Sequence, residues 1–507
     1  MRRDQSRPFT YGLKPSKKNF LRELTKINDM NYYLYVFLTF FFLSFAACKN
    51  IGSTASEDRT AESVKDQATM PGTAGDFGGS LMNAMPGSNI YEVNLRQYTP
   101  EGTIASFMTH LPRLKKMGVE ILWFMPIHPI SIEKRKQGLG SYYSVADYKK
   151  VNPEFGTMED FDRMVKKIHE LDMYIIIDWV PNHTGWDHPW IKAHPNWYTQ
   201  DEDGNIIDPI DPETGVTWGW TDVADLNYDN MDMRKEMISD MSFWVKDHDI
   251  DGFRVDVAHS VPNDFHKTAI AELRKIKPVI MLAESDKAEN INTAGYDMDY
   301  GWPFHHIMNK IAKGEENAEA IDEYLTEDKA KYKRGYHLHF ITNHDENTWS
   351  GTEFERMGDA HRVMAILAFT FDGIPLIYSG QEAGNRKRLR FFEKDTLNWD
   401  NLVYEAFYTS LLKMKKENQA LWNGKAGGDL TKIPTNNDEN IYAFTRKKNE
   451  DQVVVVLNLS KRPQEAVLEG EAYLGTYNNV FGNGTMSLQK DMKVTLNAWD
   501  FLVLERH

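Results

Sequence analysis

The chain of 507 residues contains a single cysteine, Cys48. An intrachain disulfide is therefore excluded, as is a zinc or iron–sulfur site built on several cysteines. Basic residues are outnumbered, with 59 lysines and arginines against 74 aspartates and glutamates, which gives a formal net charge of −15 without any long basic stripe. A nucleic-acid backbone would be repelled, so nucleic acid is not expected as a partner. The chain also has no internal repeat.

Several common catalytic motifs are absent. The sequence has no GxxxxGK[ST] phosphate loop, no HExxH pair and no GxSxG elbow, so an unrelated nucleotide- or metal-dependent barrel enzyme has no support. Hydrophobic residues make up 41% and charged residues 26%, close to ordinary globular usage. The length exceeds what one hydrophobic core usually serves. We therefore expect a large catalytic domain with a smaller one, using carboxylates, histidines or hydroxyls.

The N-terminal region is typical of an export signal. An apolar run from Asn31 to Cys48 follows a basic segment and ends in Ala46-Ala47. A transmembrane helix is the alternative, but the run is shorter than the roughly 20 residues that a span needs. Met30 is an alternative start, although it would remove the basic segment. The ending Phe45-Ala46-Ala47-Cys48 resembles a lipoprotein signal in which the cysteine is acylated, and Phe45 departs from its usual aliphatic residue.

From about Ile90 the chain alternates between apolar, β-rich runs and helical stretches. A helix is predicted over Thr157 to His169, because Thr157 and Asp160 form a capping-box pattern ahead of apolar residues on one face. The β-rich runs begin at or near Ile90, Val119, Tyr174, Gly252, Val279, Tyr296, Leu338 and Ile374. Eight parallel strands of this kind predict a (β/α)8 TIM barrel, in which catalytic side chains lie at the carboxyl ends of strands.

The remaining segments predict further units around the barrel. The gap after the third strand is too long for one helix, so an inserted subdomain is expected there. After the helix near Tyr404 to Lys416, short strands broken by Asn, Gly and Asp predict an antiparallel β-sandwich domain. The predicted boundaries are 1–48 for the signal, 49–85 for a flexible linker, 86–420 for the catalytic barrel with its insert at 184–230, and 421–507 for the C-terminal domain.

Acidic residues and histidines follow several of the predicted strands. Asp256, Glu284 and Asp345 come at the ends of three of them, and strand geometry would place these carboxylates around one rim. Converging carboxylates are costly unless their pKa values differ, which suits acid–base chemistry on a sugar.

Four ordered blocks resemble the α-amylase family, family 13 of the glycoside hydrolases, from about Asn89 to the C-terminus. They read DWVPNH at 178–183, GFRVD at 252–256, AE at 283–284 and NHD at 343–345. The looser blocks DLN at 225–227 and GIPLIY at 373–378 also fit. The resemblance implies Asp256 as nucleophile, Glu284 as general acid and base, and Asp345 as the acid that holds the sugar hydroxyls and favours ring distortion. Retention would need the first two carboxyls about 5–5.5 Å apart.

The resemblance also assigns substrate-binding positions. Arg254, on the same strand face as Asp256, matches the arginine that keeps the nucleophile ionised. His183 and His344 match donors to the sugar in the −1 subsite, and Asp178 matches the acid that organises its floor. Tyr143 matches the aromatic that stacks on this sugar, with its neighbour Tyr142 as the rival. His259 occupies a place often used for the acceptor sugar, with a plain surface histidine as the alternative.

Two positions depart from the family pattern. Ser260 stands where calcium-binding members offer a ligand histidine, so an Asn182–Asp225 site would lack one ligand, and calcium is not predicted. Glu284 is followed by Ser285 and not by the aromatic residue that is frequent in the family. This difference leaves open whether the chain catalyses hydrolysis or glycosyl transfer. The insert carries a cluster of tryptophans that either stack on glucose or build the insert's own core. These are Trp186, Trp190, Trp197, Trp218 and Trp220.

The sequence thus predicts an exported α-glucan hydrolase that cuts α-1,4 bonds in starch, glycogen or maltodextrins. The alternatives are a transglycosylase or branching enzyme on the same site and a catalytically dead sugar-binding homologue, which the presence of all three acids disfavours. We expect a periplasmic or cell-surface lipoprotein that meets the membrane only through an anchor at Cys48. It should be a monomer without a cofactor.

Overall fold

The structure is a computed structural model of the chain, and it describes residues 79–211 and 214–507. The predicted signal, Cys48 and the linker up to residue 78 lie outside the described residues. Within these described ranges, no helix combines the length and apolar composition that crossing a bilayer requires.

Eight parallel strands close into a barrel, as predicted. In chain order the first ten strands are β1 (Ile90–Val93), β2 (Ile121–Phe124), β3 (Tyr174–Trp179), β4 (His183–Gly185), β5 (Val223–Asp225), β6 (Gly252–Val255), β7 (Ile280–Ala283), β8 (Met298–Tyr300), β9 (Tyr336–His339) and β10 (Ile374–Tyr378). The barrel order is β1-β10-β9-β8-β7-β6-β3-β2, and β1 closes it by pairing with both β2 and β10. The fold is therefore a TIM barrel.

Side chains alternate between the barrel interior and the surrounding helices, because successive strand residues point to opposite faces. On β1, Ile90 packs in the interior cluster while Tyr91 and Val93 belong to the cluster between strands and helices. Met82 and Met85 are also buried in the interior cluster, and Ser80 bridges Val279 just before β7. Residues 80–85, which were predicted to belong to the flexible linker, are therefore in contact with the barrel.

Helices connect and surround the strands. The helix predicted from the capping box runs from Met158 to Glu170, with Thr157 accepting from the Asp160 amide and with Phe161 and Met164 among its buried residues. The α-helices are Leu95–Tyr98, Ile104–Met108, Leu111–Met117, Met158–Glu170, Pro189–Ala193, Met231–Asp247, Asn263–Ile276, Trp302–Lys313, Ala320–Lys331, Glu353–Met357, His361–Thr370 and Glu405–Glu417. Short π-helices span Asn290–Ala294 and Glu346–Ser350.

Three further sheets complete the described fold. In the insert, β4 and β5 pair antiparallel, with His183 opposite Asp225. The C-terminal domain holds a six-stranded antiparallel sheet, ordered β11-β12-β13-β18-β15-β16, and a two-stranded sheet of β14 and β17. These strands are β11 (Leu430–Lys432), β12 (Ile441–Lys448), β13 (Asp451–Asn458), β14 (Gln464–Val467), β15 (Gly475–Asn479), β16 (Thr485–Leu488), β17 (Lys493–Leu496) and β18 (Phe501–Arg506).

Candidate active site

Strand alternation carries polar side chains to the carboxyl-terminal mouth of the barrel. Glu92 on β1 shares the inward face with Ile90, and Asp178 on β3 shares it with Ile176. Asp178 and Arg254 lie opposite each other in the β3–β6 register. All three are fully buried. Burial of charged groups is unfavourable unless they are paired, so their contacts decide whether this arrangement is stable.

A single guanidinium, that of Arg254, joins three carboxylates. Its Nη1 lies 2.8 Å from Asp178 Oδ1 and 2.8 Å from Asp256 Oδ1, and its Nη2 lies 2.7 Å from Glu284 Oε1. Its Nε donates to the Tyr300 hydroxyl over 3.1 Å. The planar fork of arginine allows this multiple pairing, which a lysine could not reproduce. Asp256 and Glu284, predicted from separate strands, are therefore held side by side.

The electrostatics of the Asp256–Glu284 pair differ from the simple expectation that Arg254 serves the nucleophile alone. Burial and the charge of Glu284 raise the pKa of Asp256 well above its usual range, against the opposing effect of Arg254. Burial also favours the neutral form of Glu284, yet Arg254 and the Val257 amide lower the pKa of this carboxyl below its ordinary value. Arg254 thus favours the ionised form of both acids, and of the two only Glu284 has a pKa below its ordinary value.

The residue after Asp256 adopts an unusual backbone conformation. Val257 has φ 41° and ψ 42°, in the left-handed region that a β-branched residue rarely enters. Its N–H donates to Glu284 Oε2 over 2.8 Å. Strained backbone of this kind tends to occur at functional sites, where the surrounding structure holds it in place. Here it aims a backbone donor at the carboxylate of Glu284.

The third predicted acid, Asp345, lies in the segment beyond β9 and is about one-third exposed. His344 Nε2 lies 3.3 Å from Asp345 Oδ2, and His344 Nδ1 lies 2.6 Å from Glu92 Oε1. Burial alone would lower the pKa of His344, but the charges of Asp345 and Glu92 and the bond to Glu92 raise it to about 9. His344 is therefore a cation at neutral pH. Glu284 and Asp345 are close enough to influence each other electrostatically.

The two adjacent tyrosines point in different directions. The Tyr143 hydroxyl donates to Asp178 Oδ2 over 3.1 Å and lies 2.7 Å from His344 Nε2. The Tyr142 hydroxyl donates instead to Asn94 Oδ1, and its ring lies under the guanidinium of Arg96. Tyr143 is therefore the tyrosine that meets the acid cluster. Burial, opposed by Arg254, raises the pKa of Asp178 itself to about 6.

The insert contributes the other flank of the mouth. His183, on β4, is buried, and burial lowers its pKa to about 3, so it is neutral. Its ring lies 5.7 Å from that of Trp220, and Trp218 lies 6.4 Å from the ring of His259. Other insert tryptophans turn inward and pack in the insert core, namely Trp190 and Trp197. Trp186 is partly buried, with Lys134 over its ring. The tryptophan cluster thus divides between core and mouth.

Some residues of this cluster were not predicted from the sequence. Glu92, under His344, could have been found from the one acid in the apolar strand IYEV. Tyr300, which accepts from Arg254, and Phe391, whose ring stacks at 6.2 Å on that of Tyr143, have no local signal. Each contact joins distant parts of the chain, so the sequence around each residue carries no trace of it.

No metal-binding cluster of three or more histidine, cysteine and acidic side chains occurs within residues 79–211 and 214–507. The absence of calcium stays a prediction. The acylation of Cys48 likewise stays a prediction, since that residue lies outside the described part of the chain.

Comparison with known proteins identifies the family. Residues 58–453 match the catalytic domain of alpha amylase, which covers more than half of the chain. The chain belongs to the α-amylase family. Residues 430–503 match a second family, the C-terminal domain of maltogenic amylase.

Relatives of this α-amylase family member include both hydrolases and transferases. An alpha-amylase of Haloarcula japonica is 25% identical over 80% of this chain, which spans 61% of that relative's length. An alpha-1,4-glucan:maltose-1-phosphate maltosyltransferase of Picrophilus torridus is 27% identical over 71% of this chain and 59% of its own. A noncanonic maltogenic alpha-amylase of Thermotoga neapolitana superposes with a TM-score of 0.74 at 27% identity, over 83% of this chain and 99% of its own. The family is thus one of glycosidases and transglycosylases.

Proposed function

We propose that this family member is a retaining glycoside hydrolase that cleaves α-1,4-glucosidic bonds in starch, glycogen or maltodextrins. The observation that carries the proposal is the pairing of Asp256 and Glu284 with the two terminal nitrogens of one guanidinium, at 2.8 and 2.7 Å. A shared fork favours the close carboxyl separation, about 5–5.5 Å, of retaining enzymes over the roughly 6.5–9.5 Å of inverting ones.

Two displacements at the anomeric carbon make up the proposed reaction. In the first, Asp256 forms a bond to this carbon while the glycosidic C–O bond breaks, and Glu284 gives its proton to the departing oxygen. In the second, Glu284 takes a proton from water, whose oxygen attacks the same carbon and releases Asp256. Asp345 holds hydroxyls of the distorted ring. The net change is hydrolysis of one bond with retention of configuration.

Glu284 must take up its proton when the substrate binds. Without a ligand, the Arg254 guanidinium forms an ion pair with the Glu284 carboxyl and the Val257 amide donates to it, and both favour its ionised form. We propose that the incoming glucan draws Glu284 away from these two partners towards the glycosidic oxygen. Loss of the two partners raises the pKa of Glu284 and leaves Arg254 to Asp178 and Asp256. The proton then passes to Glu284 from Asp256, whose pKa the charge of Glu284 had raised, so that the acid is neutral and the nucleophile ionised before the first displacement.

The surrounding residues suit the binding of one glucose unit at the acids. Tyr143 offers an aromatic face, and its hydroxyl is fixed by Asp178 and His344. We propose that His183 and His344 donate to sugar hydroxyls, with Asp178 as the floor. His259, beside Trp218, would contact the acceptor sugar.

A glucan transferase on the same site is the second candidate. It is favoured by the maltosyltransferase among the relatives, which shares 27% identity with this chain. The two reactions share the covalent intermediate and differ only in whether water or a sugar hydroxyl attacks it.

Incubation of the purified chain with maltoheptaose, followed by separation of products by length, tests the proposal. Products that are all shorter than maltoheptaose support hydrolysis, and the appearance of products longer than maltoheptaose supports transfer. No change would overturn both and leave the sugar-binding homologue. The variant Glu284→Gln should lower kcat by about a thousandfold, since one acid–base group contributes roughly 10²–10⁴-fold. The matched control is Glu289→Gln, which alters an exposed glutamate. Wild-type turnover by Glu284→Gln would reassign the acid.

We further propose that the protein is exported and acylated at Cys48, a residue that follows an apolar run and Ala46-Ala47. Expression in a bacterium grown with radiolabelled palmitate should label the chain, and Cys48→Ala should abolish the label. Labelling that survives Cys48→Ala would overturn the anchor.

A further inference from the structure

Trp349 is an aromatic residue with a large exposed surface beside the acid cluster. It lies on the π-helix Glu346–Ser350, which begins directly after Asp345. Its exposure is 56%, and among the described residues no other exposed large hydrophobic side chain is aromatic. A tryptophan in this position leaves an apolar face in water unless something covers it. The proposed function gives this face a use.

Two phenylalanines extend this surface back to the site, and we call Trp349, Phe391 and Phe392 the aromatic wall. The ring of Trp349 lies 5.3 Å from that of Phe391 and 6.2 Å from that of Phe392. Phe391 in turn stacks on Tyr143 at 6.2 Å with an interplanar angle of 7°. The wall is therefore continuous with the tyrosine that meets the acid cluster.

Hydrogen bonds hold the two segments that carry the wall together. The Asn347 side chain accepts from the Leu389 amide over 2.9 Å and donates to the Lys387 carbonyl over 3.3 Å. The Thr348 hydroxyl donates to the Leu389 carbonyl over 3.1 Å. On the other side, Gln97 donates to carbonyls of the same loop, over 2.7 Å at Arg390 and 2.8 Å at Glu393. Binding surfaces held in this way lose little conformational entropy when a ligand arrives.

The contacts of the wall assign it to one side of the cleft. In the proposed reaction Glu284 protonates the departing oxygen, so the acceptor side of the substrate runs past Glu284. The resemblance to the α-amylase family places His259 on that side, where its ring neighbours that of Trp218. The wall instead follows Asp345 and contacts Tyr143, and among the described residues none of its rings contacts Trp218, Trp220 or His259. Glucose units that precede the reacting one would pass over it.

We propose that the aromatic wall is a donor-side subsite, at which the faces of glucose units before the reacting one stack on Trp349 and Phe391. The ligand is an α-glucan of at least three units, and the inference rests on the proposed function. Amphipathic rings such as tryptophan bind the apolar faces of sugars while leaving the hydroxyls in water.

Binding to a chain that cannot turn over tests the subsite. In the Asp256→Asn background, maltoheptaose is titrated by isothermal calorimetry. Trp349→Ala should raise Kd about tenfold. Trp349→Tyr, which keeps a stacking face, should stay within about threefold of the parent. The matched control is Val403→Ala, which shortens a side chain with 64% exposure elsewhere on the surface. It should leave Kd unchanged.

The cleavage pattern tests the assignment of the aromatic wall to the donor side. Maltoheptaose labelled at its reducing end is cut by the otherwise wild-type enzyme and by Trp349→Ala. Loss of a donor-side subsite lets the chain slide towards the acceptor side, so the labelled fragments should become longer. Labelled fragments that become shorter would place the wall on the acceptor side and overturn the assignment.

Failure of the inference is distinguishable from failure of the proposed function. A parent that binds maltoheptaose and a wild type that cuts it, with Kd unchanged in Trp349→Ala, would overturn the subsite alone. A wild type that neither cuts nor binds maltoheptaose would overturn the proposed function and the subsite with it. Binding of another protein, instead of maltoheptaose, at Trp349 would also overturn the subsite.

Discussion

Tyr142 and Tyr143 are adjacent in sequence but have different contacts, which makes them a matched pair for mutation. Tyr143→Phe removes the hydroxyl bonded to Asp178 and His344 and keeps the ring. We expect kcat/KM on maltoheptaose to fall about 10- to 100-fold, since hydrogen bonds to charged groups contribute roughly 1.5–3 kcal/mol.

The control for this pair is Tyr142→Phe, which removes a hydroxyl that donates to Asn94. It should leave kcat/KM within about twofold and lower the free energy of unfolding by about 1 kcal/mol. Equal losses of activity in both variants would contradict the assignment of Tyr143 to the site.

The bond between Glu92 and His344 predicts a pH dependence. The charges of Asp345 and Glu92, opposed by burial, raise the pKa of His344 to about 9. A raised pKa means that the contribution of protonated His344 is complete below about pH 6.5 and is lost as pH rises through about 9. Glu92→Gln removes one of the two charges. The alkaline limb of kcat/KM should therefore move to lower pH by about one unit or more.

Profiles of kcat/KM from about pH 6 to pH 10 check this expectation. The control is Asp328→Asn, in a second histidine–carboxylate group where Asp328 lies 3.0 Å from His337. His337 contacts Asp299 and Asp328 and none of the predicted site residues. Asp328→Asn should therefore leave the alkaline limb of the kcat/KM profile where it is in the wild type. An unshifted limb in Glu92→Gln would show that another group controls it.

At the scale of the element, the capping box of the helix Met158–Glu170 predicts a stability effect. The Thr157 hydroxyl accepts from the Asp160 amide, and the Asp160 carboxylate accepts from the Thr157 amide. Thr157→Ala should lower the free energy of unfolding by about 1 kcal/mol. Thr326→Ala, inside an exposed helix face, should be within about 0.5 kcal/mol of wild type. Urea titrations of both variants measure the difference, and equal stabilities would contradict the cap.

The strands of the barrel could be predicted because each is a short apolar run, but β9 shows the limit. The apolar run predicted there starts at Leu338, whereas the strand pairs over Tyr336–His339. His337 and His339 face acidic or carbonyl groups outside the barrel, at Asp299 and Asp372. Since these contacts come from other strands and loops, nothing in the local sequence marks the two histidines as strand residues.

Site residues could be predicted where a motif directly follows a strand. They could not be predicted where their contacts come from distant parts of the sequence. Asp256, Glu284 and Asp345 come after separate strands, and the barrel topology alone brings strand ends together. The wall residues Trp349 and Phe391 carry no such signal, because their proximity depends on how two loops pack. The sharing of Arg254 among three acids was also not foreseen, since strand geometry specifies direction and not distance.

At the scale of the whole molecule, Arg446 fastens the C-terminal domain to the barrel. This arginine on β12 is fully buried, and it donates to the carbonyls of Phe371, Trp422 and Gly428 over 2.8 Å each. Phe371 lies at the end of the helix before β10, so the contact crosses between barrel and C-terminal domain. Nearby, the buried ammonium of Lys415 donates to the Gly373 and Leu421 carbonyls over 2.9 and 2.6 Å.

Removal of this guanidinium should destabilise the entire chain. Arg446→Met leaves several buried carbonyls without donors, and we expect a loss of about 2–5 kcal/mol in the free energy of unfolding. Arg462→Met, at an exposed arginine, should stay within about 0.5 kcal/mol. Differential scanning calorimetry and urea titration measure both. A loss in Arg446→Met no larger than that of the control would show that other contacts hold the two domains together.

The contacts of Arg446 between the barrel and the C-terminal domain also limit how this protein can be recombined with its relatives. A crossover placed at the predicted border near residue 421 would take Arg446 from one parent and the segment that positions the Phe371 carbonyl from the other. Hybrids that inherit residues 370–373 and β12 from a single ancestor preserve the mutual fit of donor and acceptors. Shuffled libraries should therefore retain soluble, active members mainly when both segments share a lineage.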